Sequence, residues 1–250
     1  MSGMSVLRVE NICISFGGVK GADNVSFEVE PGEIVGLIGP NGAGKTTTLN
    51  LISGIYNVDS GSIFLDEKDV TKEPPYKRAA MGLARTFQTP HFLKRSSIRD
   101  NMLLGTDLAD HMGFFQSFIG KKGGDFDTEV HEMLEIAQFD VDWDMDIDSI
   151  PYGQQKRLEI IRALLTHPKI ILVDEPAAGL NLKELEHSVD LLRYAANKGV
   201  GVVVIEHKMD MIMNLCHKIV VLNFGKVIGY GTAEEIVQNE EVIEAYLGRG

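Results

Sequence analysis

The chain has 250 residues, and its apolar fraction of 44% and charged fraction of 24% are typical of an ordinary folded protein. This length allows one sizeable α/β domain, or a core with a smaller lobe. The formal net charge of −12 argues against non-specific binding to nucleic acid, which needs a basic surface, so we expect no nucleic-acid partner.

The apolar runs are too short to span a membrane. The longest include residues 170–173 and 202–205, far fewer than a transmembrane helix needs. No apolar signal-peptide core follows Met1, since Arg8 and Glu10 come early. We therefore expect a cytosolic chain that reaches the cytoplasmic face of the cell membrane only through a partner.

The predicted elements change character along the chain. The first third is rich in strands, at residues 7–15, 25–29, 34–39 and 62–65. Residues 91–165 are predicted to be mostly helical, with a loop rich in Gly and Phe from about Gly105 to Gly124. From Ile170 onwards short apolar strands alternate with helices, and the predicted segments are 170–173, 182–196, 202–205, 219–222, 227–230 and two short helices within 233–247. This alternation predicts a largely parallel sheet covered on both faces, with the early strands as an antiparallel edge layer.

A phosphate-binding loop lies between the predicted strand at 34–39 and a helix that starts at Lys45. Residues 39–46 fit the pattern G-x-x-x-x-G-K-[ST] without a mismatch. Glycines let backbone N–H groups surround phosphate oxygens, and the helix N-terminus adds roughly half a positive charge. Lys45 is expected to reach the outer phosphates, and the Thr46 hydroxyl to hold Mg²⁺. The predicted nucleotide-binding residues here are Gly39, Asn41, Gly42, Ala43, Gly44, Lys45, Thr46 and Thr47.

Two adjacent acidic residues follow the buried strand at 170–173. A strand-end aspartate in a phosphate-loop protein usually binds Mg²⁺, which is the role predicted for Asp174. Glu175 is then placed to orient or deprotonate the attacking water. The alternative, a solvated loop start, is disfavoured by the apolar run before the pair and by the phosphate loop upstream.

The segment Ile150-Pro151-Tyr152-Gly153-Gln154 precedes a predicted helix at 158–165 and lies shortly before Asp174. By itself it indicates a proline turn and a helix N-terminus. Together with the other motifs it resembles the signature segment of ATP-binding-cassette ATPases, usually Leu-Ser-Gly-Gly-Gln, and the motifs follow the family order over nearly the whole chain. The resemblance implies a phosphate-loop NTPase core formed by residues 1–90 and 166–250, with an antiparallel β subdomain, and an inserted helical subdomain at 91–165.

The resemblance implies roles for further residues. Phe16 is similar to the aromatic residue that stacks on adenine, although a core residue at the end of a strand would look the same in sequence. Gln88 resembles the glutamine that senses Mg²⁺ and couples to the membrane subunit, and His207 resembles the histidine that contacts the γ-phosphate. Residues 178–181 resemble the segment that crosses the dimer interface, and Gly153 and Gln154 would cover the ATP of a second subunit.

Three positions depart from the family pattern. Pro151 replaces the signature serine, so its hydroxyl is missing, and Tyr152 replaces the first signature glycine. Asn181 stands where an aspartate is usual. We expect backbone N–H groups of Gly153 and Gln154 to remain available as donors at the helix N-terminus.

The motifs around Gln88, Gln154, Glu175 and Tyr246 look like those of branched-chain amino-acid importer ATPases. This resemblance implies an ATP-hydrolysing subunit with ATP and Mg²⁺ as cofactors. Its implied partners are a second ATPase subunit, transmembrane permease subunits and, indirectly, a solute-binding protein. Two alternatives are a lipopolysaccharide-export ATPase and a soluble cassette ATPase of iron–sulfur cluster assembly, whereas a DNA-repair cassette protein is disfavoured because no basic face is visible.

Overall fold

A computed structural model describes residues 5–109 and 124–247. Four strands form an antiparallel sheet, namely β1 (Leu7–Phe16), β2 (Val19–Val29), β4 (Ser60–Leu65) and β5 (Lys68–Asp69). Their spatial order is β2-β1-β4-β5. This sheet is the antiparallel layer predicted from the first third of the chain.

A second sheet has six strands, namely β3 (Ile34–Ile38), β6 (Leu83–Arg85), β7 (Ile170–Asp174), β8 (Gly201–Ile205), β9 (Lys218–Asn223) and β10 (Lys226–Gly231). Their spatial order is β10-β9-β3-β8-β7-β6, and only the β9–β10 pair is antiparallel. The predicted mixed α/β fold with a mostly parallel sheet is confirmed.

The described helices connect and cover these strands. They are α1 (Lys45–Ile52), α2 (Pro75–Ala80), α3 (Ile98–Ala109), α4 (Gly124–Ala137), α5 (Tyr152–Leu164), α6 (Leu182–Asn197), α7 (Met209–Leu215), α8 (Ala233–Gln238) and α9 (Glu240–Leu247), with a short 3-10 helix at Ile147–Ser149. In residues 5–109 and 124–247, no helix is long and apolar enough to cross a bilayer.

The parallel sheet separates two hydrophobic cores. Ile34 and Ile38 of β3 face one core, with apolar side chains of α3 to α7, whereas Val35 and Leu37 face the other, with side chains of β1, β2 and α1. Successive residues of a strand point to opposite faces, so each central strand contributes to both cores. This explains why these strands are continuous apolar runs.

Three predicted boundaries differ from the structure. β2 begins at Val19, not at Val25, and α5 begins at Tyr152, not at Leu158. Gly105 lies within α3 and packs against the carbonyl of Arg162, so it does not start the predicted loop. The predicted Phe-rich part of that loop, around Phe114, lies outside the described residues.

Candidate functional site

The predicted site residues meet at one edge of the parallel sheet. β3 leads into the phosphate loop, β7 ends at Asp174, and β8 ends shortly before His207. The three strands are neighbours, since Leu37 pairs with Ile205 and Ile205 pairs with Asp174. Ligands of open parallel sheets bind beyond the carboxyl ends of the strands, which is where these residues lie.

Lys45 points back into the phosphate loop. Its Nζ donates hydrogen bonds to the carbonyl oxygens of Gly39 at 2.7 Å and Pro40 at 3.0 Å, and the residue is only 7% exposed. Burial lowers the pKa of Lys45, and the carboxylates of Glu175 and Asp174 oppose this effect. A partly desolvated ammonium group held inside the loop is placed to meet phosphate oxygens.

The glycines of the loop let backbone segments approach closely. Gly44 precedes α1 with a φ of 102°, and a Cβ on it would lie 2.3 Å from the carbonyl oxygen of Gly21. A Cβ on Gly39 would lie 2.1 Å from the carbonyl oxygen of Leu222. No other residue fits at these two positions, so the loop is fixed by packing against β2 and β9.

Glu175 is the centre of the site. Its Oε2 accepts a hydrogen bond from Gln88 Nε2 at 2.7 Å, and its Oε1 lies 2.9 Å from Nε2 of His207. The backbone of Glu175 has a φ of 49°, an uncommon conformation for a residue with a side chain, and such strain clusters at functional sites. The structure thus brings together three residues that are far apart in sequence and were predicted separately.

Asp174 is paired with a cation that the sequence did not reveal. Arg85 Nη2 lies 3.6 Å from Asp174 Oδ2. Its Nη1 donates hydrogen bonds to Oδ1 of Asn50, which lies in α1, and to Oγ of Ser53, which lies in the turn after α1. Burial raises the pKa of Asp174, opposed by the charge of Arg85. Arg85 therefore links the end of β7 to the helix that follows the phosphate loop.

Glu206 is a second residue that sequence reasoning missed. It is 3% exposed, and its carboxylate accepts the backbone N–H of Ala177 at 2.6 Å and of His207 at 2.9 Å. It therefore joins the segment after Glu175 to the segment that carries His207. In the sequence, the signal for Glu206 was the position of a lone acidic residue directly after a buried strand.

The signature segment forms the first turn of α5. Pro151 is the N-cap residue, and no side chain caps this helix end. The backbone N–H of Gln154, which was expected to remain available as a donor, is bonded within the helix turn, to the Pro151 carbonyl at 2.9 Å. The Tyr152 hydroxyl donates a hydrogen bond to the Gln88 carbonyl at 3.1 Å. The Tyr152 ring lies close to Gly179, since a Cβ on that glycine would be 3.2 Å from the ring. The substituted tyrosine thus joins the signature segment to two other site loops of the same chain.

Phe16 lies on the surface beside the phosphate loop. It ends β1, is 47% exposed, and packs edge to face on Tyr56 with ring centroids 5.4 Å apart. A Cβ on Gly21 would contact both Phe16 and Thr47 at 3.0 Å, so the aromatic ring neighbours the start of α1. The alternative of a core residue is therefore wrong, and an open aromatic face is available near the loop.

The chain matches known protein families. A family model described as ABC transporter covers residues 22–178, and one described as branched-chain amino acid ATP-binding cassette transporter covers residues 226–250. The chain is 36% identical to the probable branched-chain amino acid transport ATP-binding protein LivG of Archaeoglobus fulgidus, over 98% of this chain and 96% of that protein. It is also 36% identical to the high-affinity protein LivG of Escherichia coli strain K12, over 97% and 98%.

Solved structures agree with these matches. A nucleotide-free ATP-binding cassette from an ABC transporter superposes with a TM-score of 0.83 and 33% identity, over 98% of this chain and all of that chain. A cassette in its ADP conformation superposes with a TM-score of 0.82 and 32% identity, over the same shares. This chain is therefore an ATPase of the ABC transporter family, in the group of branched-chain amino acid transport ATP-binding proteins.

Proposed function

We propose that this chain hydrolyses ATP to drive an importer for branched-chain or other hydrophobic amino acids through partner permease subunits. The contact of Gln88 and His207 with the two oxygens of Glu175, beside a complete phosphate loop, carries this proposal. The names of the relatives favour amino-acid import over the lipopolysaccharide-export and iron–sulfur alternatives.

In the proposed reaction, Glu175 is the general base for the attacking water. One carboxylate oxygen is oriented by the Gln88 amide and the other by the His207 ring. Lys45 leaves its two carbonyl partners to bind the outer phosphates and stabilises the charge that develops on the transferred group. His207 then contacts the γ-phosphate, and Phe16 stacks on the adenine ring.

The residues present fit a Mg²⁺ ion that accompanies the nucleotide. The described residues contain no cluster of three or more His, Cys, Asp or Glu side chains that could hold a metal alone. The Thr46 hydroxyl, the Gln88 amide oxygen and the Asp174 carboxylate are the oxygen donors that Mg²⁺ prefers, and phosphate oxygens would complete its shell. When bound, Mg²⁺ neutralises phosphate charge.

We further propose that two ATPase subunits form the working unit. The signature segment of the second subunit, through its Gly153 and Gln154, covers the ATP on the loop of the first. The core at 1–90 and 166–250 and the helical subdomain at 91–165 then rotate relative to each other. The Gln88 region passes this movement to the permease subunits at the cytoplasmic face of the membrane, and a solute-binding protein delivers the amino acid from the other side.

Reconstitution tests the proposal. The chain is purified with its copurifying permease subunits, placed in proteoliposomes containing ATP, and uptake of radiolabelled leucine is measured in the presence of the solute-binding protein. We expect ATP-dependent uptake that is lost in Glu175→Gln and retained in Glu135→Gln, an exposed glutamate of α4. Hydrolysis without any copurifying permease, or ATP-driven lipopolysaccharide release in place of uptake, would reject amino-acid import.

A further inference from the structure

One face of α5 lies against the loop that carries Gln88 and against the end of β7. The row of side chains on this face consists of Tyr152, Lys156, Glu159 and Arg162, whose spacing of four, three and three residues places them on one side of a helix. We call residues 87–91 the Gln88 loop. Tyr152 donates to the Gln88 carbonyl at 3.1 Å, and Arg162 Nη2 donates to the His91 carbonyl at 2.6 Å.

Glu159 is the most buried polar member of this row. It is 2% exposed, and its Oε1 accepts the backbone N–H groups of Phe87 at 3.4 Å and His91 at 3.3 Å. These two donors lie on either side of Gln88, so a single carboxylate oxygen ties both ends of the Gln88 loop to the helix.

The charges around Glu159 come from its own helix. Burial raises the pKa of Glu159 to about 7, and the backbone N–H groups of His91 and Phe87 together with the charges of Arg162 and Lys156 oppose this rise. Lys156 in turn donates to the carbonyl of Glu175 at 3.1 Å. The Gln88 loop contributes only backbone N–H groups to Glu159, and the Tyr152 phenol is the other titratable group of α5 that senses its charge.

Burying a carboxyl group is costly unless its hydrogen bonds are used. The hydrogen-bond partners of Glu159 are the backbone N–H groups of Phe87 and His91, and the proposed hydrolysis does not use Glu159 as an acid or base. Its contacts instead serve the loop whose glutamine orients Glu175.

We propose that Glu159 is a positioning residue, which holds the Gln88 loop on α5 and thereby holds the Gln88 side chain on Glu175. Because α5 begins with the signature segment, a movement of its N-terminus against a second subunit is passed to Gln88 through this contact. The inference rests on the role proposed above for Gln88.

Hydrogen–deuterium exchange of the nucleotide-free chain tests the positioning itself. In Glu159→Leu, which removes both acceptor oxygens, we expect the amides of Phe87 and His91 to exchange roughly tenfold faster, since a buried hydrogen bond is lost at each. Glu159→Gln keeps one acceptor and should lie between this variant and the wild type. Glu135→Leu, on the exposed surface of α4, is the matched control and should leave both amides unchanged. Unchanged exchange in a folded Glu159→Leu protein would overturn the proposal.

A double-mutant cycle with Gln88→Ala tests the link to catalysis. We expect Glu159→Leu to lower kcat with little change in KM for ATP, and to have little further effect when Gln88 is already alanine. Independent, multiplicative losses would show that Glu159 does not act through Gln88. If Gln88→Ala alone left kcat unchanged, the role proposed for Gln88 would fail, while the exchange experiment would still decide whether Glu159 holds the loop.

Discussion

Glu159 is a carboxyl group that the fold removes almost entirely from water, with 2% of the residue exposed. Its pKa is raised from the ordinary 4.5 to about 7, mainly by burial. Between these two values the folded chain holds a proton that the unfolded chain has released, so stability falls as the pH rises through this window. The ionised carboxylate therefore lowers the free energy of unfolding above pH 7, by on the order of 3 kcal/mol relative to a neutral group.

We therefore expect Glu159→Gln to be more stable than the wild type at pH 8 and nearly equal to it at pH 4.5. Urea unfolding followed by circular dichroism across this pH range measures the difference. The gain should appear together with reduced ATPase activity, which is the combination expected of a residue kept for function at a cost in stability. A loss of stability at pH 8 would show that Glu159 mainly supports the fold.

Phe16 gives a second prediction at the residue scale. Phe16→Ala should weaken ATP binding by about 1–3 kcal/mol if the exposed ring stacks on adenine, and Phe16→Tyr should retain most of the affinity. Titration with a fluorescent ATP analogue measures this, with Tyr76→Ala on α2 as a control exposed aromatic. Equal affinity in the wild type and Phe16→Ala would remove Phe16 from the site.

Residues with local sequence signals could be predicted, whereas their buried partners could not. Lys45 and Asp174 belong to patterns in which a loop or a strand end dictates the position. Arg85, Glu159 and Glu206 were missed because their partners come from distant segments. Nothing near Arg85 or Glu159 in sequence distinguishes a buried, hydrogen-bonded charge from a solvated one, and the signal for Glu206 was its position directly after a buried strand.

At the scale of elements, α5 and α6 meet at their N-termini. Asn181 caps α6 and forms a capping box with Glu184, in which each side chain accepts the backbone N–H of the other residue at 3.0 Å. Gly153, in the first turn of α5, faces the same carboxylate, and a Cβ there would lie 2.4 Å from Glu184 Oε1. Asn181 therefore retains the capping role despite its departure from the family aspartate.

Gly153→Ala should displace the Glu184 carboxylate and break the capping box, costing about 1 kcal/mol in stability even though alanine favours a helix. In a Glu184→Ala background the same change should cost little or become stabilising, because the obstacle is gone. Thermal unfolding of the wild type, the two single variants and the double variant measures the coupling between Gly153→Ala and Glu184→Ala. Equal costs in both backgrounds would contradict a clash with Glu184.

The start of α5 shows why boundaries are hard to predict. The apolar periodicity begins only at Leu158, and residues 152–157 are mostly polar. Lys156 and Arg157 are nevertheless buried, because they donate to the carbonyls of Glu175 and Ala137. Tertiary hydrogen bonds thus extend the helix over a stretch that the hydrophobic pattern leaves unassigned. Pro151 before the first turn is the local signal of this start, and its segment was interpreted as a proline turn at a helix N-terminus while the helix itself was placed at Leu158.

At the scale of the whole molecule, the alternation of strands and helices was enough to predict a mostly parallel sheet. The strand order was not predictable, because β3 lies between β8 and β9, which are more than 160 residues away in sequence. This order brings the phosphate loop, Glu175 and His207 to one edge. It joins the signature turn of α5 to the same edge through the Gln88 loop and Gly179.

An assembly prediction follows from this arrangement. Glu175→Gln keeps the side-chain shape and can still hydrogen-bond to Gln88 and His207, but it cannot accept a proton from water. We expect ATP binding to persist and turnover to fall by roughly 10²–10⁴-fold, the usual contribution of a general base.

Since hydrolysis no longer separates the two subunits, ATP should shift the variant from the chain mass of 27.5 kDa to about twice that mass in sedimentation velocity. Lys45→Ala, which removes the ammonium group that meets the phosphates, should stay monomeric at the same ATP concentration. A Glu175→Gln protein that binds ATP and stays monomeric would contradict the shared site, and near-normal turnover would contradict the role of Glu175 as the base.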